Sequence, residues 1–194
     1  MLRLMKNFAA VRLTAFVAAL VVSLAAMQGS ARADDKYSMQ EIIDAGNGFF
    51  GNVSGGFAKV VESAFKNYGL PNGYIIGQEG GGALIAGVTY GEGELVTKNA
   101  GNYPMFWQGP SLGIDYGVNG NRVMMLVYNL PDVNAIYKRY AGVSGSAYVV
   151  AGFGMTVLRN QNVLVVPIHT GVGARLGINI GYLKMTAQPT WNPF

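Results

Sequence analysis

The sequence predicts a mainly β protein, a small closed antiparallel β-barrel of about 8–10 strands with an N-terminal amphipathic helix and one short helix in a long connection. From Tyr74 onward, apolar residues recur with a period of two, and short turn-like segments separate the runs. The composition agrees, since the chain has 28 glycines and only 12% charged residues, unlike a helical bundle. Together these features favour tightly packed strands.

The N-terminal segment is predicted to be a cleaved Sec signal peptide, residues 1–33, and residues 34–194 a single barrel domain. Basic residues precede the apolar run 13–26, which is too short to cross a bilayer as a helix. Small residues before the junction fit the signal peptidase rule, so cleavage is expected between Ala33 and Asp34. We therefore expect a periplasmic mature protein.

Loss of that segment changes the charge of the protein. The chain carries 14 basic and 10 acidic residues, and four of the basic ones lie in the segment: Arg3, Lys6, Arg12 and Arg32. Equal numbers of each sign then remain, so the pI of 9.3 for the whole chain does not indicate a nucleic-acid partner. The chain has no cysteine, so its stability must come from packing rather than disulfides.

The first element is predicted to be a helix that begins at Ser38. Ser38 stands three residues before Glu41, the spacing of a capping box, and apolar residues follow at helical intervals. Gly46 and Gly48 are predicted to end this helix.

A second, amphipathic helix is predicted between Val53 and Tyr68, where apolar residues recur at i, i+3 and i+4. Gly69 follows as a C-cap, and Pro71 lies just beyond it. The apolar stripe is expected to brace the sheet; a membrane-binding helix is the alternative.

The remainder of the chain reads as strands joined by turns such as the glycine-rich segment 91–93. The long connection after Pro131 is predicted to hold a short helix over 133–140. Segment 122–129 is apolar on both faces, so it should be covered on both sides, with a helix outside the barrel. Strands are predicted at 74–78, 83–90, 94–98, 105–108, 112–116, 122–129, 147–159 (bent or split at Gly152 and Gly154), 163–170 and 173–186.

The last predicted strand alternates apolar residues with glycine and polar residues, as a sharply coiled barrel strand requires. An integral outer-membrane barrel would show the same period. However, Pro189 and Pro193 each remove a ladder donor near the C-terminus, so the closing WNPF is predicted to be a tail. Trp191 and Phe194 are expected to dock on the barrel surface as anchors. A soluble barrel is favoured, and the membrane barrel stays open as an alternative.

No catalytic constellation is found in the sequence. The chain has no cysteine and one histidine, His169, which cannot form the usual Cys/His metal sites. Glu92 and Glu94 are expected to be solvated, and the glycine clusters match no nucleotide-binding spacing. We therefore expect no enzymatic activity, no catalytic residue, no cofactor and no metal.

A binding function remains. Large side chains from different predicted strands could line an apolar barrel interior that holds one ligand, although a filled interior has the same sequence pattern. The candidate lining residues are Trp107, Tyr116, Tyr128, Phe153, Met155 and Tyr182.

Several long stretches resemble the envelope integrity protein A family of Gram-negative bacteria. These include GFFGNVSGGFAKVVESAF, YGEGELVTKNAG, WQGPSLGIDYG, VPIHTGVGARLGINIGYLK and the closing PTWNPF. The resemblance implies a periplasmic β-barrel of about ten strands, similar to lipid-binding proteins, that supports envelope integrity under stress without enzymatic activity. It leads us to expect a lipid or other apolar envelope component as ligand. The alternative is a structural partner of envelope proteins with no internal ligand.

Overall fold

The computed structural model describes residues 36–51, 55–81, 88–110, 121–150, 152–170 and 181–192. These residues belong to one compact unit. The predicted cleavage site at Ala33 and Asp34, the predicted strand 112–116 and Phe194 lie outside the described residues, as does most of the predicted strand 173–186.

Helix α1 spans Met39–Phe50 and begins with the predicted capping box. The Ser38 hydroxyl accepts a hydrogen bond from the Glu41 amide at 3.3 Å, and the Glu41 carboxylate accepts one from the Ser38 amide at 2.7 Å. The prediction that Gly46 and Gly48 end the helix is wrong, because α1 continues to Phe50 and is capped by Gly51, with φ +84°. Gly46 instead provides the space in which α1 and the second helix meet.

Helix α2 spans Gly56–Tyr68, and the amphipathic helix predicted there is confirmed. Gly69 caps it with φ +80°, and its amide donates to the Phe65 carbonyl at 2.9 Å. The apolar side of α2 is fully buried at Phe57, Val60 and Val61. Within the described ranges, neither helix is long and apolar enough to cross a membrane.

The strands are β1 Gly73–Gly81, β2 Val88–Thr97, β3 Gly101–Pro110, β4 Asn121–Tyr128, β5 Arg139–Gly142, β6 Tyr148–Val150, β7 Phe153–Met155, β8 Leu158–Asn160, β9 Val163–Thr170 and β10 Tyr182–Thr186. Eight of them form a closed antiparallel barrel in the order β4, β1, β2, β3, β10, β5, β8, β9, closed by pairing of β9 with β4. Strand β7 also pairs with β9, and β6 pairs with β7.

The predicted strand 147–159 is split into β6, β7 and β8. Gly152, with φ +87°, lies between β6 and β7. Between β7 and β8, the Thr156 amide donates to the Pro167 carbonyl at 3.3 Å, but Pro167 has no N–H with which to return the bond. The ladder therefore breaks opposite Pro167.

The turn predicted at 91–93 is wrong, because these residues lie inside β2. A Cβ on Gly91 would lie 2.1 Å from Trp107 Cε2, and one on Gly93 would lie 2.2 Å from the Ile76 carbonyl oxygen. The glycines therefore allow an indole and a neighbouring strand to approach the backbone closely, which a side chain would prevent.

The long connection holds a 3₁₀ helix over Val133–Ile136, shorter than the predicted helix. The Asp132 carboxylate caps it by accepting hydrogen bonds from the Asn134 and Ala135 amides at 2.9 and 3.1 Å. Tyr140 lies instead in β5, where it is paired with Leu183 of β10.

Two separate cores cover the two faces of β4, as the sequence predicts. Val123, Met125 and Val127 belong to the core inside the barrel, which the 3₁₀ helix also contacts. The alternate residues belong to the outer core, which lies between the barrel wall and helices α1 and α2: Met124, Leu126 and Tyr128.

Candidate binding site

The barrel interior carries a buried polar network. The Trp107 indole N–H donates to Glu79 Oε1 at 2.8 Å, and His169 Nε2 lies 2.9 Å from Glu79 Oε2. The His169 and Glu79 side chains are 4% and 10% exposed. The carboxylate therefore has partners on both oxygens, as a buried charged group requires. These contacts indicate that His169 has a structural role inside the barrel.

The candidate lining residues do not share one cavity, which corrects the sequence-based expectation. Trp107 lies in the inner core, packed over Gly91. Tyr128, Phe153 and Met155 lie in the outer core, on the opposite side of the barrel wall. Alternation along a strand cannot distinguish these two sides, because here both are apolar.

The other two candidates also lie apart from this interior. Tyr182 is half-buried on β10, where its neighbour Leu183 enters the inner core, so Tyr182 faces away from it. Tyr116 lies outside the described residues.

A groove on the outside of the barrel is the best candidate site among the described residues. It consists of two adjoining depressions of about 570 and 310 Å³ that share Gln78, Glu92 and Phe106. We call it the outer groove and define it by Phe49, Gln78, Tyr90, Glu92, Phe106 and Trp191.

The floor of the outer groove is a row of cross-strand neighbours. Gln78 of β1 pairs with Glu92 of β2, and Glu92 pairs with Phe106 of β3. Directly paired residues project from the same face of a sheet, so one amide, one carboxylate and one aromatic ring lie side by side. Glu92 therefore lines a site, although the sequence placed it in a solvated turn.

Helix α1 forms one wall of the outer groove. Its Phe49 carbonyl accepts a hydrogen bond from Arg122 at 2.8 Å, and the Arg122 guanidinium lies 5.8 Å from the centre of the Phe49 ring. Arg122 pairs with Gln78 across β4 and β1, so it fixes the end of the helix beside the floor.

The C-terminal tail forms the opposite wall, and here the expected anchor is only partly realised. The Trp191 ring lies 5.5 Å from the Tyr90 ring, yet Trp191 is 84% exposed. The tail backbone is held more firmly than the indole. Tyr90 donates to the Trp191 carbonyl at 3.0 Å, and Lys184 donates to the Asn192 carbonyl at 2.9 Å.

The lining of the outer groove is acidic. None of its described lining residues is lysine or arginine, whereas Glu92 contributes an exposed carboxylate. Gln108, at its edge, has a buried Oε1 atom with no hydrogen-bond partner in the described structure. No group of three or more potential metal ligands occurs among the described residues.

The fold and site define a closed antiparallel β-barrel braced by two external helices, with an open groove on its outer face. The model of the envelope integrity protein A family matches residues 35–194, so the chain belongs to that family. Its name associates the chain with the cell envelope and its integrity.

The chain is also similar to a solved structure, described as a β-barrel-like, uncharacterized protein from Brucella abortus. The two are 63% identical and superpose with a TM-score of 0.79, over 82% of this chain and 99% of the other. No curated protein matches the sequence.

Proposed function

We propose that this protein is exported through Sec and supports envelope integrity in the periplasm as a binding protein without enzymatic activity. Membership in the envelope integrity protein A family supports the process. The basic segment, apolar run and small-residue junction that end at Ala33 support the export.

The ligand we propose is a lipid or other apolar component of the envelope, bound in the outer groove. The observation that carries this proposal is the presence of three aromatic residues from three parts of the chain, Phe49, Phe106 and Trp191, in the lining of two adjoining open depressions. Ligand sites in proteins are concave and mostly apolar or aromatic, with a few placed polar groups.

Complementation of a deletion strain tests the role of the groove. Trp191→Ala and Phe106→Ala should restore growth under detergent stress less well than wild type, at equal protein level. Leu70→Ala is the control, because Leu70 is also exposed, at 47%, but is absent from the groove lining. Equal rescue by all four proteins would reject the groove as the working surface.

Native mass spectrometry of the protein purified gently from envelopes tests for a lipid ligand. We expect a bound species above the mature mass, or uptake of added phospholipid. A protein found only at its bare mature mass, and indifferent to added lipid, contradicts the lipid form of the proposal.

Fractionation tests the location. Osmotic shock should release the protein into the soluble fraction. Its measured mass should correspond to a chain that begins at Asp34. Retention in carbonate-washed membranes, with heat-modifiable gel mobility, would favour the integral outer-membrane barrel instead.

A second candidate function is a structural partner of envelope proteins, and strand β6 supports it. Within the described structure β6 pairs with β7 alone, and its Tyr148 and Val149 are 42% and 50% exposed. An apolar edge strand can accept a strand from another chain. A photo-crosslinker at Val149 should then capture an envelope protein in cells, whereas the same group at Lys138 should not.

A further inference from the structure

We propose that the outer groove binds a saccharide, with the apolar face of a sugar ring on Trp191 and its hydroxyl groups on the polar floor. The inference rests on the outer groove proposed above as the binding surface, but it assigns a different ligand to that groove, a saccharide in place of a lipid or other apolar component. A pyranose has one face of C–H groups, which packs on aromatic rings, and a rim of hydroxyl donors.

The backbone that carries the Trp191 indole is held in place. Hydrogen bonds fix the tail on both sides of it: Tyr90 binds the Trp191 carbonyl at 3.0 Å, Lys184 binds the next carbonyl at 2.9 Å, and Thr186 binds the Gln188 carbonyl at 2.8 Å. The side chain itself is nevertheless 84% exposed. Holding this backbone before binding lowers the entropy that is lost when a ligand packs on the indole.

The polar atoms around the indole call for hydrogen-bond donors. The Glu92 carboxylate is exposed, and no partner for it occurs among the described residues. Gln108 is 1% exposed, and its Oε1 atom is buried without a partner in the described structure. A hydroxyl-rich ligand can donate directly to the exposed Glu92 carboxylate, whereas Oε1 of Gln108 lies beneath the groove surface, out of reach of a hydroxyl group in the groove.

Two other envelope ligands fit this lining less well. A phosphate headgroup needs cationic or multiple N–H donors, but no described lining residue is lysine or arginine. An acyl chain would cover Gln78 and Glu92 and so remove their hydration without replacing it. A neutral polyol avoids both penalties.

Tryptophan fluorescence supplies the assay, because the chain has two tryptophans. Both line the larger depression, but Trp107 is fully buried and Trp191 is 84% exposed, so quenching by acrylamide reports on Trp191. The mature protein is titrated with three probes: a β-1,4-linked N-acetylglucosamine tetramer, a soluble peptidoglycan digest, and delipidated polysaccharide from lipopolysaccharide. At least one should shift the emission of Trp191 to the blue and protect it from acrylamide, with saturation.

Variants locate the site. Glu92→Gln should weaken binding by about tenfold, since a hydrogen bond to a charged carboxylate becomes a weaker one to a neutral amide. Trp191→Ala should abolish the fluorescence response and reduce affinity by isothermal titration. Glu94→Gln is the matched control, because Glu94 lies two residues along the same face of β2 but does not line the groove. It should bind like wild type.

The outcomes separate the two proposals. No response to any of the three saccharides, together with Trp191-dependent binding to vesicles of phosphatidylethanolamine and phosphatidylglycerol, overturns the saccharide and leaves a lipid-binding groove. Saccharide binding that is unchanged in Trp191→Ala and Glu92→Gln also overturns it. Normal rescue of the deletion strain by both variants rejects the groove as the functional site, whatever it binds in solution.

Discussion

Substitution of Gly46 by alanine should destabilise the protein, although alanine is the better helix former. A Cβ at this position would lie 2.1 Å from Phe57 Cε1 and 2.2 Å from Phe57 Cζ. Ordinary carbon–carbon contacts are about 3.5–4.0 Å, so the ring or the helix must move by more than about 1 Å. The ring cannot rotate away freely, because Phe50 and Phe153 lie 5.4 and 5.6 Å from it.

The magnitude follows from two opposing effects. Overpacking a buried site costs about 1–3 kcal/mol, while replacing an interior helical glycine by alanine gains about 0.5–1 kcal/mol. We expect a net loss of about 0–2.5 kcal/mol in the free energy of unfolding, or a Tm lower by up to roughly 10 °C for a chain of this size.

Gly48→Ala is the matched control, because Gly48 lies in the same helix and a Cβ there meets nothing within 4 Å. It should gain about 0.5–1 kcal/mol. The free energies of unfolding of both variants are measured by urea unfolding of the mature protein, followed by circular dichroism. If Gly46→Ala were as stable as Gly48→Ala, the close contact between α1 and Phe57 would be refuted. Adding Phe57→Leu to Gly46→Ala should cost less than the two single changes together, as expected for residues in contact.

Three further predictions concern polar groups. Tyr128→Phe should change stability by less than about 1 kcal/mol in thermal unfolding, because the buried hydroxyl has no partner among the described residues, and a large loss would reveal a partner. Ser38→Ala should cost about 1 kcal/mol in urea unfolding, since the capping box with Glu41 is lost, and Ser63→Ala serves as a control. Burial raises the pKa of Tyr37 to about 12, and burial likewise raises the pKa values of Tyr128 and Tyr140. These hydroxyls stay protonated in the folded protein above the unfolded pKa of about 10, so stability should be full below pH 10 and fall as the pH rises through the folded values. Absorbance at 295 nm should show their ionisation together with unfolding, and independent early titration of all three would contradict their burial.

Sequence patterns between neighbouring residues predicted much of the structure without any reference to packing. The capping box at Ser38, the C-cap at Gly69 and the strand over 163–170 depend on neighbours in sequence, and all three occur as predicted. The two apolar faces of 122–129 also specified a strand covered on both sides, because exposing either face to water would be unfavourable.

The same patterns gave wrong predictions where a glycine makes space for the side chain of a distant residue. Gly46 and Gly91 carry the local signals of a helix end and a turn, but their partners are Phe57 and Trp107, which no local pattern connects to them. The separation of Trp107 from Tyr128, Phe153 and Met155 likewise depends on strand order, which alternation does not encode.

The sequence by itself determined the β class, the amphipathic helix α2 and the family, since each resides in contiguous residues, and it also predicts an export signal. Only the tertiary structure decided where a ligand could bind. The outer groove joins Phe49, Glu92, Phe106 and Trp191 from one helix, two strands and the tail. Their proximity is created by strand pairing and by the hydrogen bonds that hold the tail, and those long-range contacts leave no periodic signal in the sequence.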